Sequence, residues 1–185
     1  MNDMTDGHTV KSFNEEMNQL HDHVLQVGEL VRDQLKRAVE ALEEEDADAA
    51  REVIERDQLV NELDIEIDDE IVHLIAKRQP MARDLREILT VGKIVTDLER
   101  CGDEARKIAM LCVHFYDQNT TSPSDVILRD IVKLTEFVDS MLEKAVRAYD
   151  DLDLDLALDV IRMDIDLDTE FKSCLRRLST FIMED

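Results

Sequence analysis

Apolar side chains recur at alternating three- and four-residue spacing over most of the chain, which is the period of a helix with one buried face. Four Gly, two Pro and few alternating β-branched runs interrupt this pattern, so it predicts an all-helical protein. Helices of about 30 residues are about 45 Å long and need neighbours to bury their stripes, which indicates a long up-and-down bundle. The clearest stripes are Leu20, Val24, Val27, Val31, Leu35, Ala38 and Leu42 in the first helix and Val91, Ile94, Leu98, Cys101, Ala105, Ile108, Cys112 and Phe115 in the third.

Capping and breaking residues predict the boundaries of the first three helices. Ser12 and Glu15 form a capping box that opens the first helix. Asp46 is the predicted N-cap of the second helix, after a turn at residues 43–48. The second helix stops at the basic residues before Pro80, and Pro80 begins a third helix that runs to about residue 117.

A loop-like composition at residues 118–124 marks a domain boundary. Ser122 and Pro123 are the predicted cap and first helical position of a fourth helix, which extends to about Tyr149. A fifth helix runs from about Asp153 to the last residue. The sequence therefore predicts five long helices.

The chain contains an internal repeat, because an offset of 107 residues aligns residues 31–78 with 138–185 without a gap. The repeat matches apolar core positions, an acidic turn and one particular aspartate. We expect a first three-helix bundle at residues 1–119 and a partial second bundle at residues 120–185, which lacks a counterpart of the third helix. The matched pairs are Val31/Val138, Leu35/Leu142, Ala38/Ala145, Val39/Val146, Ala41/Ala148, Asp46/Asp153, Asp48/Asp155, Ala50/Ala157, Val53/Val160, Ile54/Ile161, Asp57/Asp164 and Ile75/Ile182.

The repeated aspartate occupies a position where the spacing calls for an apolar residue, Asp57 in the second helix and Asp164 in the fifth. One turn later stand Asn61 and Asp168, so each copy offers an oxygen pair on one helix face. A buried carboxylate is unfavourable by several kcal/mol unless a cation or a donor compensates it. Two interpretations stay open: a metal site, and an interhelical salt bridge with Arg or Lys.

A second acidic pair lies in the third helix, where Glu99 and Asp103 are one turn apart and point the same way. With 45 acidic residues among 185, this spacing alone is common by chance. Facing Asp57 across two antiparallel helices, however, the pair would complete an all-oxygen set suited to Mg, Mn or Ca, while Fe and Zn also take carboxylates. The metal interpretation therefore places its site in the first bundle, and the interhelical salt bridge stays the alternative.

The net charge of −23 argues against nucleic acid as a partner, because phosphate backbones are bound by Lys and Arg. Cations and basic protein surfaces suit this charge better. No stretch is long and apolar enough to span a bilayer, and the first ten residues lack the layout of a signal peptide, so we expect a cytoplasmic protein. The three cysteines, without a C-x-x-C pair, indicate reduced thiols.

Three segments together resemble the PhoU family of phosphate-uptake regulators, over essentially the whole chain from the first helix to the end. They are Asp57-Gln-Leu-Val-Asn61, then Ile75-Ala-Lys-Arg-Gln-Pro80-Met-Ala-Arg-Asp84-Leu-Arg86, then Asp97-Leu-Glu99-Arg100-Cys-Gly102-Asp103. The resemblance implies two pseudo-symmetric three-helix bundles, each with a metal site built from E(D)-x-x-x-D motifs. It further implies a cytoplasmic adaptor that restrains the phosphate-starvation response by contacting a sensor histidine kinase and the ATPase of the phosphate transporter.

The resemblance also assigns residues. Glu99, Asp103 and Asp57 match metal ligands of the first bundle, with Asn61 departing from the acidic pattern. Asp164 and Asp168 match the pair of the second bundle, whose partners on a third helix are absent, so that site is expected to be incomplete. Asp84, Arg86 and Arg100 are candidates for partner contacts or structural ion pairs. An apolar face left open on the fifth helix indicates a homodimer or a higher oligomer.

Two other functions compete with a metal-binding adaptor. A helical interaction module without metal would use the same fold. A di-iron carboxylate enzyme would need Glu-x-x-His pairs between long helices. Only one such pair occurs, Glu70 with His73, and the repeat replaces the histidine by Thr180. No nucleophile motif or glycine-rich phosphate loop occurs either, so binding rather than catalysis is expected.

Overall fold

The computed structural model describes residues 4–117 and 124–184. The secondary structure in these ranges is entirely α-helical, which confirms the predicted fold class. Within this part of the chain, no helix carries an apolar stretch that could cross a bilayer. The five helices are α1 (Met4–Glu43), α2 (Ala47–Arg78), α3 (Arg83–Asp117), α4 (Asp125–Asp150) and α5 (Leu154–Glu184).

Helices α1, α2 and α3 pack against one another as an antiparallel bundle. The predicted stripe of α1 is buried at every position. The stripe of α3 is only partly as predicted, because Ile94, Cys101, Ile108 and Phe115 are half-buried. Since α3 lies in the groove between α1 and α2, it buries a second row of side chains beside the first. The buried residues of α3 are Ile88, Val91, Val95, Leu98, Gly102, Ala105, Ala109 and Cys112.

The predicted start of the first helix at the Ser12 capping box is wrong, since α1 begins at Met4 and runs through Ser12 without a break. Ser12 instead serves a contact between helices. Arg78, at the end of α2, donates to the Ser12 hydroxyl at 2.5 Å and to both carboxylate oxygens of Glu16. These hydrogen bonds, first from Arg78 and then from Lys77, lower the pKa of Glu16 to about 2. The two helices are thus clamped at this end of the bundle.

Two further boundaries differ from the prediction. Pro80 does not begin α3, because Gln79 and Ala82 have φ angles of 48° and 49°, and the chain turns until Arg83. α4 begins at Asp125 with Ser124 as its N-cap, and the Ser124 side chain makes no capping hydrogen bond. The predicted cap at residues 122–123 lies outside the described residues. The predicted N-cap Asp46 is confirmed, because its side chain accepts hydrogen bonds from the amides of Asp48 and Ala49.

The α4–α5 hairpin joins the first bundle through α4, which packs antiparallel to α1. At the crossing, Arg32 donates to Asp139 at 2.8 Å and 3.3 Å and to Glu143 at 2.9 Å, and Lys36 lies 3.2 Å from Asp139. Arg32 and Asp139 are 107 residues apart, so they are equivalent positions of the repeat. The two copies of the sequence repeat are therefore related by an approximate two-fold axis, and this axis passes beside the ion pair.

Close packing of the backbone accompanies the crossing. A Cβ atom at Gly28 of α1 would lie 2.7 Å from Cγ2 of Val146 in α4, closer than real Cβ atoms approach other heavy atoms. The positions equivalent to these two, Thr135 and Val39, line one groove on the opposite side of the pseudo-axis. Glycine at position 28 therefore allows α1 and α4 to approach.

Candidate functional site

The buried centre of the first bundle holds a polar contact that joins all three helices. Asp57 of α2 is 5% exposed and Gln34 of α1 is also 5% exposed. The Gln34 side-chain amide donates to Asp57 Oδ1 at 2.8 Å and to the Gly102 carbonyl of α3 at 3.2 Å. Because each buried polar atom here has a partner, the aspartate can be held without a large penalty for desolvation.

Arg106 of α3 supplies the charge that balances these acids. Its Nε lies 3.1 Å from Asp57 Oδ2, and its Nη2 lies 3.1 Å from Asp103 Oδ1. One guanidinium thus bridges the second helix and the acidic pair of the third. Of the two interpretations that the sequence leaves open for Asp57, the interhelical salt bridge is the one that the side chains form.

More carboxylates gather around this bridge than Arg106 can neutralise. Glu99 is half-buried, and the pKa of its carboxyl is raised first by burial and then by the negative charges of Asp103, Asp64 and Asp57. The pKa of Asp64 is raised by burial and by Asp68. Such mutual repulsion marks a place where an additional cation would be stabilising.

The donor set fits a hard cation in chemistry but not in its present arrangement. Among the described residues, no three acidic, histidine or cysteine side chains converge closely enough to coordinate one ion. The guanidinium of Arg106 occupies the space between Asp57 and Asp103 where an ion would bind. Asn61 is exposed, and its amide nitrogen lies 3.5 Å from Asp57 Oδ2. An ion at this site would therefore have to displace the Arg106 side chain. That side chain is 31% exposed, so it can rotate into solvent.

The equivalent residues of the second repeat are arranged differently. Asp164 and Asp168 are both exposed, and Asp168 pairs with Lys172 on the same helix at 3.0 Å. The inference that both copies of the repeat bury the aspartate is wrong for Asp164. The reason is that, within the described residues, α5 packs against α4 alone, whereas α2 is covered by both α1 and α3.

The remaining candidates lie on the surface. Asp84 and Arg86 are exposed in the first turns of α3, and neither side chain has an ion-pair partner within the described residues. Arg100 is exposed and pairs with Asp97 at 3.3 Å on its own helix. Of the three, Arg100 alone acts on the acidic site, because its positive charge counters part of the rise in the pKa of the neighbouring Glu99.

The single Glu-x-x-His pair lies away from the acidic site, on the side of α2 that faces α1. Glu70 Oε2 lies 3.0 Å from Nδ1 of His23, and His73 is exposed. In the described part of the chain these residues do not form a group that could hold a metal. The di-iron alternative therefore gains no support from this pair.

Sequence reasoning missed Gln34 and Arg106, although each carries a signal. Gln34 falls three residues after Val31 and four before Ala38, so it occupies an apolar position of α1, as Asp57 does in α2. Arg106 follows Asp103 by three residues and therefore lies beside it on the helix. Matching the polar interruptions of the α1 and α2 stripes with the acidic pair of α3 would have indicated their meeting point.

These features define a class of protein: an all-helical protein built from a repeated helical hairpin, with a polar, acidic centre in the first bundle. Residues 24–112 and 131–185 match the PhoU domain family model. The chain belongs to the PhoU family.

Named relatives give the same result. The phosphate-specific transport system accessory protein PhoU homolog of Pseudomonas putida is 40% identical over 178 residues, which are 96% of this chain and 68% of the relative. The phosphate-specific transport system accessory protein PhoU of Escherichia coli (strain K12) is 34% identical over 178 residues, 96% of this chain and 72% of the relative.

Solved structures agree with the fold. The crystal structure of PhoU from Pseudomonas aeruginosa matches with a TM-score of 0.87 at 39% identity, covering 94% of this chain and 81% of that one. The crystal structure of the phosphate transport system regulatory protein PhoU from Streptococcus pneumoniae matches with a TM-score of 0.82 at 22% identity, covering 94% and 80%, and supports the fold alone.

Proposed function

We propose that this protein regulates phosphate uptake and the phosphate-starvation response as a non-enzymatic helical adaptor in the cytoplasm. The observation that carries the proposal is family membership over nearly the whole chain, together with relatives named as accessory proteins of phosphate-specific transport. Its partners would be the ATPase subunit of the phosphate transporter and a sensor histidine kinase, and its effect would be negative regulation. The acidic surface suits contacts with basic faces of such partners.

The regulatory role predicts a clear phenotype. In the organism that encodes this protein, deleting its gene should raise alkaline phosphatase activity in high phosphate, because the restraint on the response is lost. Expression of the chain from a plasmid should restore repression. Alkaline phosphatase that stays fully repressed in the deletion strain would refute the regulatory role.

We further propose that the acidic centre of the first bundle binds a divalent or trivalent metal ion, with Mg, Mn, Fe and Zn as candidates. Asp57, Asn61, Glu99 and Asp103 would supply oxygen ligands, and Arg106 would swing into solvent. The excess of carboxylates over Arg106 and the raised pKa of Glu99 support this proposal. Binding would remove repulsion between α2 and α3 and stiffen the bundle. Asp164 and Asp168 would form the matching oxygen pair of the second repeat.

Metal binding predicts a change in thermal stability. Titration with Mn²⁺ should raise the melting temperature, by about 5–10 °C at roughly 100 times the Kd, and EDTA should reverse the rise. The double variant Glu99→Gln/Asp103→Asn should lose the response, whereas Glu104→Gln, an exposed neighbour paired with Lys107, should retain it. Arg106→Met should respond at lower metal concentrations, because no guanidinium competes. A melting temperature that neither Mn²⁺, Mg²⁺, Fe³⁺, Zn²⁺ nor EDTA changes would contradict the metal proposal.

One observation favours the metal-free alternative, a helical module that binds proteins alone. Arg106 bridges Asp57 and Asp103 and thereby supplies part of the positive charge that an ion would otherwise provide. The metal titration separates the two functions, and the deletion experiment tests regulation independently of metal.

We also propose an oligomer, in which another molecule covers the exposed apolar residues of α5 such as Ile161 and Ile165. Light scattering measures this oligomeric state.

A further inference from the structure

The two hairpin turns of the repeat have the same backbone. In the first, the Asp46 amide donates to the Ala41 carbonyl at 2.9 Å, and in the second the Asp153 amide donates to the Ala148 carbonyl at 2.9 Å. The residue before each aspartate has a positive φ, 58° at Glu45 and 51° at Leu152. This is a helix C-terminal motif in which glycine is the usual residue at the left-handed position.

The side chains on the two turns differ where the backbones agree. The second turn has leucines at positions 152 and 154, which are 81% and 72% exposed, where the first has Glu45 and Ala47. Leu152 is unfavourable here in two ways, since a side chain strains the left-handed conformation and an apolar one loses contact with neighbours. Within the described residues, no contact compensates for the strain or for the exposed apolar surface. We call Leu152 and Leu154 the leucine tip.

A third helix on the second hairpin would not cover Leu152. In the first bundle that helix is present, and Glu45 is still exposed beside it. By the symmetry of the repeat, the position of Leu152 faces solvent in a complete bundle as well. Leu154 is less decisive, because its counterpart Ala47 is half-buried. An apolar contact for the Leu152 side chain would therefore have to come from another molecule.

We propose that the leucine tip docks into an apolar pocket with a rim of Lys and Arg on a partner protein. Asp150, Asp151, Asp153 and Asp155 surround the two leucines and are all exposed, so a basic rim complements them. A second copy of this chain is a poor match for the tip itself, because the aspartates around the leucines call for basic groups and the chain has a net charge of −23. The same aspartates disfavour insertion between anionic lipid headgroups. The proposal rests on the adaptor function in taking its first two probes from the partners named there.

The test measures binding of the full chain to the purified transporter ATPase subunit and to the cytoplasmic part of the sensor kinase. Leu152→Asn introduces a residue that tolerates the left-handed conformation, and it removes the apolar side chain that would make the contact. We expect a melting temperature equal to or slightly above that of wild type, because asparagine relieves the strain, and an affinity for one probe weakened by about 10-fold or more. Wild-type binding should also weaken at higher salt. Glu45→Asn makes the matching change in the first turn and should leave affinity unchanged. Equal affinities of wild type and Leu152→Asn for a bound probe would overturn the docking proposal.

A second measurement decides the case in which wild type binds neither probe, which by itself would count against the adaptor's partners. A benzoylphenylalanine crosslinker replaces Leu152 or, as the control, Glu45 in cells that express the chain. Absence of an adduct specific to position 152 would overturn the docking proposal. A specific adduct supports it only if the crosslinked protein, once identified and purified, binds Leu152→Asn about 10-fold or more weakly than wild type, and equal binding again overturns it.

Discussion

Replacing Asp57 by alanine is expected to lower the free energy of unfolding by about 3 kcal/mol, measured by urea denaturation in EDTA. The substitution removes a buried carboxylate that accepts from Gln34 and pairs with Arg106. Gln34 would keep only its bond to the Gly102 carbonyl, and Arg106 would keep Asp103. The loss should fall at the low end of the range for broken buried pairs, because Arg106 is 31% exposed and can reach water.

The repeat supplies a matched control for this prediction. Asp164→Ala changes the equivalent residue of the second hairpin, which is exposed, so its stability should equal that of wild type within error. In an Arg106→Met background, Asp57→Ala should be less destabilising, because part of its interaction is already gone. Equal losses for Asp57→Ala and Asp164→Ala would show that burial of Asp57 is not the source of the effect.

The contrast between Asp57 and Asp164 shows what a sequence pattern can and cannot establish. Both aspartates interrupt an apolar stripe at the same register, and the pattern predicts burial for both. Burial, however, depends on which helices surround the residue, and periodicity along one helix contains no information about how many neighbours it has. Local rules were enough to predict the all-helical class, the Asp46 cap and the α1 stripe. They were not enough to predict the environment of Asp164.

The partner of Asp57 illustrates a second limit. The residues lining the centre come from positions 34, 57, 102 and 106, which belong to three helices. A buried carboxylate predicts a compensating positive charge nearby. From the sequence alone, a metal ion and an arginine satisfy this requirement equally well. Rotamers decide which of them does, and Arg106 has the length to reach Asp57 across the interface of α2 and α3.

The predicted starts of α1 and α3 are wrong for a related reason. The capping box at Ser12 and the proline at position 80 both carry favourable local signals, yet α1 begins earlier and α3 later. Ser12 lies inside a continuous α1 and accepts a hydrogen bond from Arg78 instead of capping the helix. After Pro80, the left-handed Ala82 reorients the chain so that Ile88 enters the core.

Replacing Arg32 by methionine is expected to destabilise the protein by about 2 kcal/mol and to loosen the α4–α5 hairpin from the first bundle. α4 is the only described helix that joins the hairpin to α1, and Arg32 holds both Asp139 and Glu143 at that crossing. Burial alone would raise the pKa of Asp139, but hydrogen bonds from Arg32 and Lys36 keep it below its ordinary value. Without Arg32, this carboxylate, 16% exposed, would retain Lys36 alone. Urea denaturation gives the stability, and hydrogen exchange in α4 and α5 reports the loosening.

Arg37→Met is the matched control, because Arg37 lies five residues further along α1 and pairs with the exposed Asp33 on its own helix. It should change neither stability nor exchange in α4. The effect of Arg32→Met should also depend on pH. A carboxyl with a lowered pKa stabilises the folded state above its unfolded pKa of 3.8, and this contribution is lost as the pH falls through the folded value. The difference between wild type and Arg32→Met should therefore shrink below about pH 4. A difference that is constant with pH, or faster exchange spread evenly over α2 and α3, would mean that Arg32 acts by packing within the first bundle and not by holding the two repeats together.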